Sequence, residues 1–166
     1  MPQYFDRYIN LVADIELSQA FDYSIRQLNE LDPNLLTRLD GKRYAPDKWT
    51  VKEIFQHIID FERILAYRTL LFARKEGSTP VGIDENLLAT GMNADQRTIN
   101  QLINELKIVR ASTQAMFESF DDGMLQNTGT NWIYEISVLA MGFSMVGHQI
   151  HHVRIIEDKY YSLLNQ

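Results

Sequence analysis

The chain has 166 residues, 45% of them hydrophobic and 23% charged, with a formal net charge of −6 at pH 7. That length suits one domain, residues 1–166, able to bury about 70% of the surface its unfolded chain exposes without covalent staples. There is no cysteine, which excludes disulfides, thiolate zinc sites, iron–sulfur clusters and a protein thiol nucleophile, and 16 Lys+Arg against 22 Asp+Glu argue against a nucleic-acid partner.

The start, MPQYFDRYIN, has neither the basic residues nor the apolar run of a signal peptide. The longest apolar-rich stretch, Ile136 to Val146, falls short of the roughly 20 residues that span a bilayer. Both point to a cytoplasmic protein with no membrane partner. Prolines are confined to Pro2, Pro33, Pro46 and Pro80. The stretches between breakers carry apolar residues at helical spacing, without strand-like alternation and without an internal repeat.

A short helical lead-in is predicted around Tyr4 to Val12. The first long helix runs from about Ile15 to Leu31 with Leu17, Phe21, Ile25, Leu28 and Leu31 on its apolar stripe. Pro33 closes it, and Asn34 to Leu39 forms a further turn. The second helix runs from about Val51 to Arg74. Thr50 and Glu53 make its capping box, and Trp49, at the position before the cap, staples onto Ile54 or the neighbouring loop. Residues 75–92 form the longest irregular connection, long enough to serve as a functional loop or cover. The third helix runs from about Ala94 to Phe120, with Asn93 and Gln96 as its capping box and Ile99, Leu102, Ile103, Leu106, Val109 and Phe117 as its stripe. The fourth runs from about Ile136 to Tyr160. Four such helices bury their stripes against one another, so the fold class is all-α, a four-helix bundle.

Imidazole chemistry is limited to His57, His148, His151 and His152. At about 100° per residue, Ile136, Leu139, Ala140, Phe143, Gly147 and Ile150 form one face of the fourth helix. Met141, Met145, His148 and His152 form a second line. His148 and His152 are one turn apart on one face, a spacing that lets two imidazoles chelate one ion. His151 points about 60° away from His148 on the other side, which leaves it as the spare. On the second helix His57 lies at the margin of the apolar arc of Ile54, Phe61, Ile64 and Leu65, with Glu53 and Asp60 about a turn to either side. His57, His148 and His152 together give three neutral nitrogen donors and one open position, the pattern of a catalytic metal site. Glu53 or Asp60 then orients a ligand ring. The plainer alternative is a set of hydrogen-bonded core histidines.

The segment Lys48-Trp49-Thr50-Val51-Lys52-Glu53-Ile54, followed by His57 and Asp60-Phe61-Glu62-Arg63, then Val81-Gly82-Ile83-Asp84-Glu85-Asn86, and finally Gly147-His148-Gln149-Ile150-His151-His152, resembles the DinB/YfiT-like superfamily, in particular its DinB_2 branch. The resemblance covers Tyr4 to about Tyr161. It implies a four-helix bundle, commonly a homodimer, that holds a divalent metal through His57, His148 and His152; we read that ion as Zn²⁺, Ni²⁺ or a similar borderline ion. Thiol S-transferases and proteins described only as hydrolases both occur in that superfamily, so the likeness implies fold and metal more sharply than reaction.

Glu62 lies inside the apolar arc of the second helix. It calls for a buried arginine partner, the alternative role being a general base. Arg63, Tyr67 and Arg68 lie near the polar margin, as surface ion pairs or as binders of an anionic substrate. Asp84 and Glu85 are read as solvated loop acids or as a cover of the pocket mouth. No G-x-S-x-G elbow, phosphate loop or pair of Glu-x-x-His motifs is present. The leading reading is a metal-dependent enzyme that activates water or a small external thiol. Its rivals are a non-enzymatic metal-binding stress or interaction module, and a bundle whose histidines are only structural.

Overall fold

The computed structural model describes residues 4–165. Met1, Pro2, Gln3 and Gln166, which the single-domain expectation included, lie outside the described residues. In chain order, α1 (Asp6–Ile9) is a single turn, and α2 (Leu17–Glu30) begins where the Gln19 side chain accepts the Glu16 N–H. α3 (Pro33–Thr37) starts with proline in its first turn, behind the capping Asp32. α4 (Val51–Ala73) opens on the Thr50–Glu53 capping box, as the spacing predicts. The long connection carries α5 (Glu85–Thr90), capped by Asp84. Then follow α6 (Ile99–Glu118), α7 (Asp122–Gln126), strands β1 (Thr128–Asn131) and β2 (Tyr134–Ser137), and α8 (Val138–Ile155). A π turn, Ile156–Tyr160, and a 3₁₀ turn, Tyr161–Asn165, finish the described chain.

Three expectations are corrected. The third helix starts at Ile99 rather than Ala94, because Arg97 is extended and the capping box is Thr98 with Gln101, not Asn93 with Gln96. The expected absence of strands fails at residues 128–137, where a hairpin pairs Thr128 with Ser137 and Asn131 with Tyr134. Four-residue strands are too short to show a period, and their turn is closed by Trp132 at positive φ, without the usual glycine. The fourth helix therefore begins at Val138, with Ser137 as its cap and Ile136 in the sheet, and its last turn widens to π.

The four long helices, α2, α4, α6 and α8, form a bundle whose directions follow from its side-chain pairs. Ser24 and Asp22 of α2 meet Arg110 and Gln114 of α6, so these two run antiparallel. Gln56 and Arg63 of α4 meet Arg97 and Glu105 at the start of α6, so these two run parallel. α4 is antiparallel to α8, since His57 meets His148 while Arg110 links Glu62 to the Met145 carbonyl. A parallel α4–α6 pair requires the chain to return along the bundle between them, about 34 Å for a helix of 23 residues. The segment after α4 makes that return: Val81 accepts from Arg68, Glu85 comes to His57, and Arg97 reaches Gln56.

Apolar packing forms two clusters. One gathers Phe21, Phe72, Phe117, Met141 and Met145; the other gathers Leu28, Phe55, Ile59, Leu102, Leu106 and Tyr160. Gly147 lets α1 lie on α8, since a Cβ there would overlap the Tyr8 carbonyl. No helix among the described residues is long and apolar enough to cross a membrane.

The corrected cap is testable. Thr98→Ala is expected to lower the urea-unfolding free energy by about 1 kcal/mol, whereas Asn93→Ala shifts it by only a few tenths.

Candidate metal centre

The centre is built where the first turns of α4 face the last turns of α8. His57 is 2% exposed, His148 6% and His152 8%. Their Nε2 atoms converge: His148 Nε2 lies 3.1 Å from His57 Nε2 and 3.1 Å from His152 Nε2. One ligand-capable atom from each residue lies within 4.8 Å of the others. The His57 ring is held by Trp49 and Phe61, with centroids 4.6 and 4.5 Å away. The edge of Tyr8 meets His148 at 5.2 Å.

Burial pushes the His57 pKa down to about 4. His148 and His152 are also held well below the usual histidine value, first by burial and then by the neighbouring imidazoles. All three are thus neutral donors. A neutral ring nitrogen has either one lone pair or one hydrogen. His148 Nε2 therefore cannot satisfy two partners at 3.1 Å by hydrogen bonding alone. Three lone pairs directed at one cation resolve the conflict, because donors about 2.1 Å from a shared ion stand about 3.0–3.4 Å apart at ordinary coordination angles. The donor set thus fits a borderline divalent ion. His152 Nδ1 is buried without a hydrogen-bond partner among the described residues, so no acceptor orients that ring. Packing does so instead, with Trp49 and His151 beside it.

The expected neighbours arrange themselves differently. His151 is half-buried against Tyr8 and His152 and is not one of the converging donors. Glu53 and Asp60 do not orient the imidazoles: Glu53 is engaged by Arg43 and the Thr50 N–H, and Asp60 accepts from Gln56. Glu85 is not a merely solvated acid. Its Oε1 stands 3.7 Å from His57 Nε2, and burial raises its pKa. Asp84 caps α5. Trp49 packs against the apolar cluster that includes Ile54, and it also walls the centre.

Glu62 finds the buried arginine its position demands. Arg110 Nε and Nη2 donate to its two oxygens at 2.8 and 2.7 Å. Arg63 pairs with Glu105 at the surface, and Tyr67 is exposed. Arg68 departs from its expected polar margin. It is 8% exposed and donates to Asn131 Oδ1 and to the Val81 carbonyl. Asn131 gave no signal in the sequence, because only the hairpin carries it to α4.

A cavity of about 350 Å³ adjoins His148, with Phe61, Ile64, Leu65 and Arg68 along α4, the return segment Gly82–Glu85 above, and Trp132 at the hairpin. A second, of about 270 Å³, reaches His152 from the side of Tyr44, Lys48 and Trp49.

Comparison with known proteins adds to this geometry. A family model described as the DinB superfamily matches residues 16–156. Among solved structures, YfiT from Bacillus subtilis, described as a probable metal-dependent hydrolase with an unusual four-helix bundle topology, matches with a TM-score of 0.71 over 96% of this chain and 87% of that chain. At 17% sequence identity that likeness is one of fold. No curated protein matches the chain by sequence.

The buried neutral imidazoles predict how stability depends on pH. An unfolded histidine takes up its proton near 6.5 and folded His57 only near 4. Its contribution is complete above pH 6.5 and is lost as the pH falls towards 4, on the order of 3 kcal/mol for this group alone. Chelator-treated protein should show that loss in urea unfolding, with a shallower slope in His57→Gln. Equal slopes would contradict a neutral buried cluster.

Proposed function

The chain belongs to the DinB superfamily, and from that premise we propose that His57, His148 and His152 hold a divalent metal, Zn²⁺ or Ni²⁺, in an enzyme that activates water or a low-molecular-weight thiol. The observation carrying this reading is the convergence of three buried Nε2 atoms beside a cavity with room for a small organic molecule. When bound, such an ion supplies Lewis acidity, which lowers the pKa of a coordinated water or thiol.

The chain's own residues do the rest. Burial keeps the imidazoles unprotonated, so they are available as donors at neutral pH. Trp49, Phe61 and Tyr8 fix the rings from the sides and keep bulk water off them. Glu85 Oε1, 3.7 Å from His57 Nε2, stands where it can take up the nucleophile's proton and return it to a leaving group. Its side chain is 47% exposed, so it can exchange that proton with solvent. Because the sequence holds no cysteine, a thiol in the reaction must come from a cosubstrate.

The description of YfiT as a probable metal-dependent hydrolase supports the hydrolytic branch. Thiol S-transfer is the other branch. A non-enzymatic metal-binding module would fill its open positions with protein ligands. Glu53 and Asp60 are bonded elsewhere and a cavity adjoins His148, which supports the enzyme. We place the enzyme in the cytoplasm as a homodimer. Exposed Val81, Leu87, Trp132 and Ile133 offer apolar surface for association, and light scattering should give twice the 19.3 kDa chain mass.

Elemental analysis of purified protein is expected to give one divalent ion per chain, with His148→Ala weakening its affinity at least about 100-fold. Wild type without stoichiometric metal would overturn the reading. Activity should be sought with glutathione, bacillithiol-like and mycothiol-like donors beside a hydrolase panel, and it should vanish on chelation. Glu85→Gln is expected to lower kcat by about 10²-fold or more while metal content stays at that of wild type.

A further inference from the structure

Arg68 and Arg110 are both buried, yet they are satisfied in opposite ways. Arg110 is matched by the Glu62 carboxylate. Arg68 has only neutral partners, the Asn131 side chain and the Val81 carbonyl, and no ion pair forms on it among the described residues. Burial alone lowers its pKa, with no nearby carboxylate among the causes. Asp84 and Glu85 share the cavity, but Asp84 caps α5 and Glu85 is turned to His57. A guanidinium has five N–H donors in a planar fork that matches a carboxylate, and a buried one without a counter-ion is costly.

Its position relates it to the histidines. Arg68 is eleven residues beyond His57, so the two lie within about 20° of one face of α4 and about 16 Å apart along its axis. Phe61, Ile64 and Leu65 fill the interval and line the same cavity as Arg68 and His148. The cavity of about 350 Å³ lies at the small end of ligand pockets. It therefore offers a reactive end, an apolar wall and an unmatched cation in sequence.

We propose that Arg68 is the carboxylate-binding group of this cavity, and that the substrate is a small organic acid whose apolar or aromatic body lies along Phe61, Ile64 and Leu65, with its reacting end at the histidines. Only the choice of reacting end rests on the metal reading; the acid-binding site stands on Arg68 and the cavity. Asn131 and the Val81 carbonyl hold the guanidinium in place, so the site is formed before the acid arrives.

The test is calorimetric titration of the full chain with 3-phenylpropionate and 4-phenylbutyrate against their neutral primary amides, after chelation and again after Zn²⁺ loading. The chelated wild type should bind at least one acid about tenfold or more tighter than its amide. Arg68→Met should reduce that preference to within about twofold while amide affinity holds, and Arg68→Lys should keep part of it. Equal binding of acid and amide by chelated wild type overturns the proposal, as does an unchanged preference in folded Arg68→Met, or no binding of either acid at millimolar concentration. If Arg68→Met does not fold, a preference in Arg68→Lys equal to that of wild type overturns it. A preference present only after metal loading refutes the role of Arg68 and leaves the metal reading standing. A preference without stoichiometric metal uptake does the reverse.

Discussion

The buried ion pair between Glu62 and Arg110 touches all four long helices. Glu62 is on α4 and Arg110 on α6; the guanidinium also donates to the Ser24 hydroxyl of α2 and to the Met145 carbonyl of α8. Along α2, α4 and α6 this polar layer falls where one apolar cluster ends and the other begins. Apolar stripes alone tolerate sliding by a turn, since leucine and methionine repack at modest cost. A two-pronged pair does not, because a slip would leave a charge buried without its partner, a loss of about 3–5 kcal/mol. The pair therefore sets the register of α4 against α6, and the Arg110 bond to the Met145 carbonyl ties α8 to the same layer. His57 lies five residues to one side of Glu62, and His148 lies three residues past Met145, so that register also decides whether their Nε2 atoms meet.

The direction of α6 imposes the second constraint. Because it runs parallel to α4, the connection between them has to travel back along the bundle. A shorter loop would be possible only with an antiparallel neighbour. The return path crosses above Arg68, passes over the apolar wall and brings Glu85 to His57. The roof of the cavity is thus a consequence of topology, and residues 75–92 are long because they have a helix length to cover. The hairpin closes the far end, with Asn131 buried at 1% exposure against Arg68.

This division explains what could be read in the sequence. The His148–His152 spacing, the Thr50 capping box and the partner required by Glu62 depend on one helix or on one simple rule, and all were legible. His57 was legible as a candidate donor because few histidines exist and the bundle must place helices face to face. Arg68 was misplaced because its surroundings are supplied by the return segment and the hairpin, not by the helix that carries it. Glu85, read as a solvated acid or as a cover of the pocket mouth, lines the cavity because the return segment lies over α4. Arg68 sits on the same face as His57, but that face reads as a polar margin until residues 81–85 and 131 are laid over it. The hairpin itself is invisible to periodicity, with four residues in each strand.

Energetically the two halves of the core have different tasks. The Glu62–Arg110 layer is matched internally and leaves nothing for a ligand to improve. The histidine cluster and Arg68 are incompletely matched: one nitrogen faces two others at hydrogen-bond distance, and one guanidinium has only neutral acceptors. Such groups destabilise the protein in isolation and are tolerated where something that binds the native state offsets them. Both reach one cavity, the cluster through His148 and the guanidinium directly, at opposite ends of the wall that α4 gives it. A cation answers the first mismatch and an anion the second. A molecule that satisfied both ends would thus gain affinity from groups whose desolvation the fold has already met, which is how preorganised sites turn folding energy into binding selectivity.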